Sequence, residues 1–168
     1  MSALNKFIQQ DTTAEAEREV RWIEREIEKT GEAKIRALVA EAKKVRLNAY
    51  PPYSKFFVGA AILSTSGSIY ASCNAEVVSW SDTDHAEQST VTKAISEGEF
   101  KNHGRLFIRA VAVVCPGNAA PCGHCRQVIA EHADNALIIL ATPDGTIQTI
   151  TSLKLLLPLA FTPSDLKL

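Results

Sequence analysis

Residues 85–97, His-Ala-Glu-Gln-Ser-Thr-Val-Thr-Lys-Ala-Ile-Ser-Glu, open a helical pattern on an imidazole and a carboxylate, and residues 121–125, Pro-Cys-Gly-His-Cys, open a second on two thiols. Ala86, Val91, Ala94 and Ile95 give the first stretch its expected core face. Asp82, Thr83 and Asp84 are suitable caps for its start. Cys122 and Cys125 are three residues apart, so in the first turn of a helix they share a face. Pro121 and Gly123 suit the turn that enters that helix, which Gln127–Glu131 continues. The positive end of a helix dipole favours thiolates placed there. His85 and Glu87 are two residues apart and diverge within a regular helix, so they meet in one pocket only from a helix end.

His85, Cys122 and Cys125 make three ligands of the kind zinc takes, which leaves a fourth position open. That open position separates a catalytic site from a structural one. Taken alone, Cys-x-x-Cys also suits a redox pair, which expects a thioredoxin-like context. It suits a structural zinc as well, with Cys73, Cys115, His103, His124 or His132 as the missing fourth ligand, but none of these forms a second close pair. The two halves in this order, each at a helix start, favour the catalytic reading.

The same order, H-x-E and then P-C-x-x-C, is the known mark of zinc deaminases. Four stretches narrow the resemblance: Tyr50-Pro-Pro-Tyr-Ser-Lys-Phe-Phe-Val-Gly59, Cys73-Asn-Ala-Glu76, Pro121–Gln127 and Leu155-Leu-Leu-Pro158. They fall in the order found in cytidine deaminases, and the run from Ile35 to Leu168 resembles that family. The resemblance implies one zinc ion per subunit on His85, Cys122 and Cys125, with Glu87 off the metal as proton carrier. Zinc lowers the pKa of a bound water from about 15.7 to roughly 7. Glu87 would take that water's proton, protonate ring N3 of a cytosine, and help ammonia leave. By the same resemblance Phe56 lines the base pocket, Asn74 and Glu76 hydrogen-bond the ribose hydroxyls, and Ala86 and Phe161 also contact substrate. An amide and a carboxylate two apart on an extended segment do point to one side. Without the resemblance, Asn74 and Glu76 equally suit a turn after a strand, and Phe56 and Phe161 suit core packing.

The chain departs from the family in places. Many short cytidine deaminases carry cysteine at the position of His85 and arginine at that of Gln88. Two thiolates and a neutral imidazole already balance Zn²⁺, so the neutral Gln88 is consistent with His85. Val77-Val-Ser-Trp-Ser-Asp-Thr-Asp84 is also atypical, since members usually have Asn, Tyr and Gly where Val77, Trp80 and Ser81 stand, and proline where Phe57 stands. These differences bear on the substrate. Three readings follow: a cytidine or deoxycytidine deaminase of pyrimidine salvage, a deaminase of a cytosine nucleoside antibiotic of the blasticidin S type, and a non-catalytic zinc-binding scaffold.

At 168 residues and 46% hydrophobic, the chain can bury one good core. A net charge of −1 argues against nucleic acid as a partner, and no run is apolar enough to span a membrane. The start, Met1–Thr13, lacks the basic and apolar regions of a signal peptide. Four cysteines, two of them claimed by metal, suit a reducing, cytoplasmic setting.

Residues 33–47 read as a helix with Ile35, Leu38, Val39, Ala42 and Val45 on one face. Val58–Leu63 and Ser68–Cys73 read as a hairpin closed by Thr65-Ser66-Gly67, with later strands at Arg109–Val114, Leu137–Ala141 and Thr146–Ile150. Pro143-Asp144-Gly145 is a turn, and Ser152 caps a short helix ended by Pro158. The expected fold is a three-layer α/β/α sandwich around a five-stranded mixed sheet, as the family resemblance also implies. Residues 1–32 form an extension, helical over 11–32 with Val20, Ile23 and Ile27 in line and Trp22 off it, and residues 33–168 the catalytic domain. The family further implies a homotetramer, with a homodimer as the alternative.

Overall fold

The computed structural model describes residues 14–166. Residues 1–13, on which the signal-peptide argument and part of the N-terminal extension rest, lie outside the described residues, as do Lys167 and Leu168. The chain runs α1 (Ala14–Thr30), α2 (Glu32–Arg46), β1 (Gly59–Ser64), β2 (Ile69–Cys73), α3 (Ala86–Ser96), α4 (Glu99–His103), β3 (Ile108–Val114), α5 (Gly123–Glu131), β4 (Leu137–Ala141), β5 (Ile147–Ser152) and α6 (Leu153–Leu156). Short 3₁₀ turns lie at Trp80–Asp82 and Pro163–Leu166.

The strands form one sheet in the order β2-β1-β3-β4-β5. β3 and β4 are parallel, with Ala112 opposite Ile139, and the other neighbours are antiparallel. Every residue of β1 and β4 is buried, as continuous apolar runs covered on both faces require. One face packs under α1 and α2 through Ile23, Ile35, Leu38, Ala61, Ala112 and Ile139. The other packs under α3 and α5 through Val91, Ala94, Val111, Ile129 and Ile138. This is the three-layer sandwich expected from the sequence. Gly59 lets α2 approach the sheet: a Cβ there would overlap the Ala42 carbonyl and lie 2.8 Å from the Arg46 Cβ and backbone nitrogen.

Several local expectations need correction. The cap of α3 is His85 itself, with no side-chain hydrogen bond, rather than Asp82, Thr83 or Asp84. Asp82 closes the 3₁₀ turn, while Asp84 pairs with Ala75 in an isolated bridge that draws His85 toward the Asn74–Glu76 segment. Ile95 is 39% exposed, because α3 bends its core face through Thr90, Val91 and Ala94 instead. Trp22 is off the Val20–Ile23–Ile27 line yet still packs against the core beside Ile27. The helix α4 escaped the sequence because it is one turn long and largely polar, with Glu99 as its buried residue.

Candidate metal centre and active site

Two helix starts meet over the sheet. His85 adopts extended backbone angles (φ −78°, ψ 144°) ahead of α3, and its carbonyl accepts from both the backbone N–H and the hydroxyl of Ser89. Glu87 sits in the first turn and is 5% exposed. Cys122 caps α5 in a similar extended conformation (φ −65°, ψ 167°), its carbonyl accepting from the Arg126 N–H, and Cys125 lies fully buried one turn on. The Arg126 guanidinium braces this entry by donating to the carbonyls of Pro121 (2.6 Å) and Leu156 (2.8 Å). His85 and Glu87 therefore come together from a helix end, the only place their spacing permits it.

The donor atoms form a compact triangle. His85 Nδ1 is 3.4 Å from Cys122 Sγ and 3.3 Å from Cys125 Sγ, and the sulfurs are 3.5 Å apart. Tetrahedral zinc with Zn–S near 2.3 Å and Zn–N near 2.0–2.1 Å sets such edges at roughly 3.6–3.8 Å, so the triangle fits with a few tenths of an ångström of expansion. Burial, and then the neighbouring Glu87 carboxylate, pushes the Cys125 thiol well above its ordinary pKa. A divalent cation reverses that balance and brings a coordinating thiol to the thiolate. Among the described residues these three form the one cluster of three or more metal-capable side chains. Cys73, Cys115, His103, His124 and His132, the possible fourth ligands of a structural site, are not part of it.

The triangle borders a cavity of about 380 Å³ whose walls include Phe56, Asn74, Glu76, Ala86, Glu87 and Cys115. His85 and Cys122 also line it, and among the described residues no Lys or Arg does. Phe161 does not: its side chain is 58% exposed, and its backbone is held from outside by the Gln127 amide, which donates to its carbonyl (2.6 Å) and accepts from its N–H (3.3 Å). Seven of the nine residues singled out from the sequence thus line one cavity, Cys125 lies behind its wall in the donor triangle, and Phe161 stands apart.

Asn74 and Glu76 are tied into the loop that carries Phe56. The Glu76 carboxylate accepts from the Tyr53 N–H (2.9 Å), the Ser54 N–H (3.1 Å) and the Ser54 hydroxyl. Asn74 accepts from the Val58 N–H (2.8 Å) and donates to the Phe56 carbonyl (2.9 Å). The Ser54 hydroxyl bond holds the Glu76 carboxyl below the usual carboxylate range against its burial, with the Ser54 and Tyr53 N–H groups and Lys55 adding to the effect. Lys55 takes a left-handed backbone (φ 58°) to complete this tight loop. Ser54 and Cys115 are wall residues that the sequence reading left unassigned. Ser54 was open to discovery, since a hydroxyl beside the pocket aromatic is a ready partner for a nearby carboxylate. Cys115 reaches the wall at the end of β3, where its N–H donates to the Ala141 carbonyl of β4, a pairing that no local pattern announces.

Comparison with known proteins places these features in context. Residues 32–141 match the model of the cytidine and deoxycytidylate deaminase zinc-binding region. The chain is 45% identical over 135 residues to a cytidine deaminase of Sporosarcina psychrophila, covering 79% of this chain and 94% of that one. A cytidine deaminase of Halalkalibacterium halodurans is 42% identical over 132 residues, with 77% and 95% coverage. The crystal structure of cytidine deaminase from Burkholderia pseudomallei superposes with a TM-score of 0.67 at 36% identity, over 74% of this chain and 97% of that one.

Proposed function

The chain belongs to the cytidine and deoxycytidylate deaminase family, and from that premise we propose that it hydrolyses cytidine and deoxycytidine to uridine and deoxyuridine with release of ammonia. One observation carries the reading: a His-Cys-Cys donor triangle borders a cavity into which a buried, unligated carboxylate also opens. His85, Cys122 and Cys125 would hold one zinc ion. When bound, zinc supplies a nucleophile at neutral pH by acidifying water. Glu87 accepts the nucleophile's proton and delivers it to ring N3, then takes the proton of the hydroxyl added at C4 and passes it to the departing amine, leaving the C4 carbonyl and ammonia. Its burial keeps bulk water from competing for that proton. Phe56 and Ala86 flank the planar base.

Asn74 and Glu76 have hydrogen-bonding capacity beyond the loop they anchor. Each loop bond to Asn74 uses one of two sites on its atom, and Glu76 Oε1 has a single protein partner. One N–H on Asn74 and two acceptor sites, on Asn74 Oδ1 and Glu76 Oε1, remain, which suits sugar hydroxyls that both accept and donate. Among the described residues the cavity wall holds two carboxylates and no Lys or Arg, which favours a neutral nucleoside over its phosphate.

The relatives named above are cytidine deaminases, which lends no support to the antibiotic-deaminase or scaffold alternatives. The chemistry returns preformed nucleosides to the uridine pool, hence a role in pyrimidine salvage. Thiolate ligands and cysteines free of disulfides suit the cytoplasm, and among the described residues no helix is long and apolar enough to cross a membrane. Residues 1–32 stand as an extension ahead of a catalytic body at 33–168, with α1 closing one face of that body. A homotetramer, or failing that a homodimer, would cover Tyr50, Tyr53, Val78 and Trp80, which stand exposed on loops flanking the cavity. Phe161 would then act from a neighbouring subunit.

Parallel assays of cytidine, deoxycytidine, cytidine 5′-monophosphate and blasticidin S test the substrate assignment. Both nucleosides should be turned over, with kcat/KM for the monophosphate at least about tenfold lower, the equivalent of about 1.4 kcal/mol in the transition state. Preference for the monophosphate or for blasticidin S would contradict it.

A further inference from the structure

The three metal donors come from two helix starts separated by 37 and 40 residues of sequence, with no covalent link between them. One side-chain hydrogen bond joins the helices directly beside the donors. Gln88 Nε2 lies 2.8 Å from His124 Nε2. Gln88 follows Glu87 and lies three residues after His85, on the same helical face. His124 stands between the two cysteines, and its ring centroid is 6.4 Å from that of His85. Neither Gln88 nor His124 belongs to the donor triangle or lines the cavity.

We propose that Gln88 and His124 form a positioning bridge that fixes the separation of the two helix starts, and so holds the donor triangle closed around the ion. The inference rests on the zinc reading given above. Packing between α3 and α5 sets the layer spacing through large apolar contacts, which tolerate shifts of several tenths of an ångström. A metal site does not tolerate them, because its ligand distances are fixed within about 0.2 Å. A bridge at the donors is therefore placed where small errors matter most. Both residues are partly or fully exposed, so the bridge adds little to the fold itself, and its effect falls on the metal. Partners of this kind outside the ligand set commonly change metal affinity by about 10–100-fold. Arginine at the position of Gln88 would bring a charge; the neutral amide brings geometry alone, and the imidazole it meets is supplied by the x-x of Cys-x-x-Cys.

The test measures zinc release to a chromogenic chelator from wild-type protein and from Gln88→Ala, His124→Ala and the double variant, with Cys125→Ser as control. Cobalt-substituted protein reports ligand geometry through its visible absorption, and melting of the metal-free proteins reports the fold. The expected result is release about tenfold faster or more in each single variant, with the double variant no worse than either. The cobalt spectrum should shift, and the metal-free melting temperature should stay unchanged. Unchanged release in the single variants, additive losses, or an equal drop in metal-free stability would overturn the bridge. If wild-type protein holds no stoichiometric zinc and Cys125→Ser behaves identically, the zinc reading fails and the bridge with it. Stoichiometric zinc that is lost in Cys125→Ser and retained normally in the bridge variants defeats the bridge alone.

Discussion

At the scale of single residues, the proposed chemistry depends on one carboxylate standing outside the donor triangle. Glu87 is buried beside Cys125, and its place in the first turn of α3 aims it at the cavity that His85 borders. Glu87→Gln preserves size and hydrogen bonding while removing the proton acceptor. It should retain stoichiometric zinc and lose about 10²–10⁴ in kcat, read by steady-state kinetics with metal analysis on the same sample. Undiminished turnover would remove the residue from the proton path. The grouping of His85, Cys122 and Cys125 was legible in the sequence because ligand chemistry restricts residue types and spacing. The anchoring of the Phe56 loop by Asn74 and Glu76 was not, since their partners Tyr53, Ser54, Phe56 and Val58 are 16–23 residues away and meet them only after the β1–β2 hairpin closes.

At the scale of elements, the strands and long helices follow their hydrophobic patterns, while short polar pieces do not. α4 illustrates the difference. Its Glu99 is 3% exposed and accepts from the hydroxyls of Ser64 (2.5 Å), Ser66 (2.7 Å) and Tyr70 (2.8 Å), which ties α4 to the β1–β2 hairpin. Burial works to raise the Glu99 pKa, but the three hydroxyls together outweigh it and leave the group below its ordinary value. A carboxyl lowered on folding contributes stability that is complete above its unfolded pKa and is lost as pH falls through its folded pKa. The melting temperature of Glu99→Gln should therefore lie below that of wild type at neutral pH, and the gap should close as pH falls through and below the ordinary carboxylate range. A gap that widened with acid would reverse the assigned sign. No period-two or period-3.6 pattern flags Glu99, because its burial is decided by hydroxyls on other elements.

At the scale of the whole molecule, the N-terminal helix is part of the core. Ile23 is fully buried in the same cluster as Ile35, Leu38 and Ile139, so α1 closes the sheet face rather than hanging from it. Ile23→Ala should cost about 2–5 kcal/mol, or roughly 5–15 °C in melting temperature for a domain of this size, while kcat on cytidine at 25 °C changes little. A loss of turnover without a loss of stability would instead place α1 in the reaction. The sandwich itself was legible from alternating strands and helices, whereas the depth at which α1 docks was not, since the Val20, Ile23 and Ile27 stripe marks an apolar face without saying what covers it, and its packing partners are distant in sequence. The most direct test of the proposed activity is the fall in ultraviolet absorbance of cytidine, with ammonia measured alongside, for protein of known zinc content. The expected result is rapid loss with equimolar ammonia, abolished by removing zinc and restored by returning it. No loss from fully zinc-loaded protein would contradict the assignment.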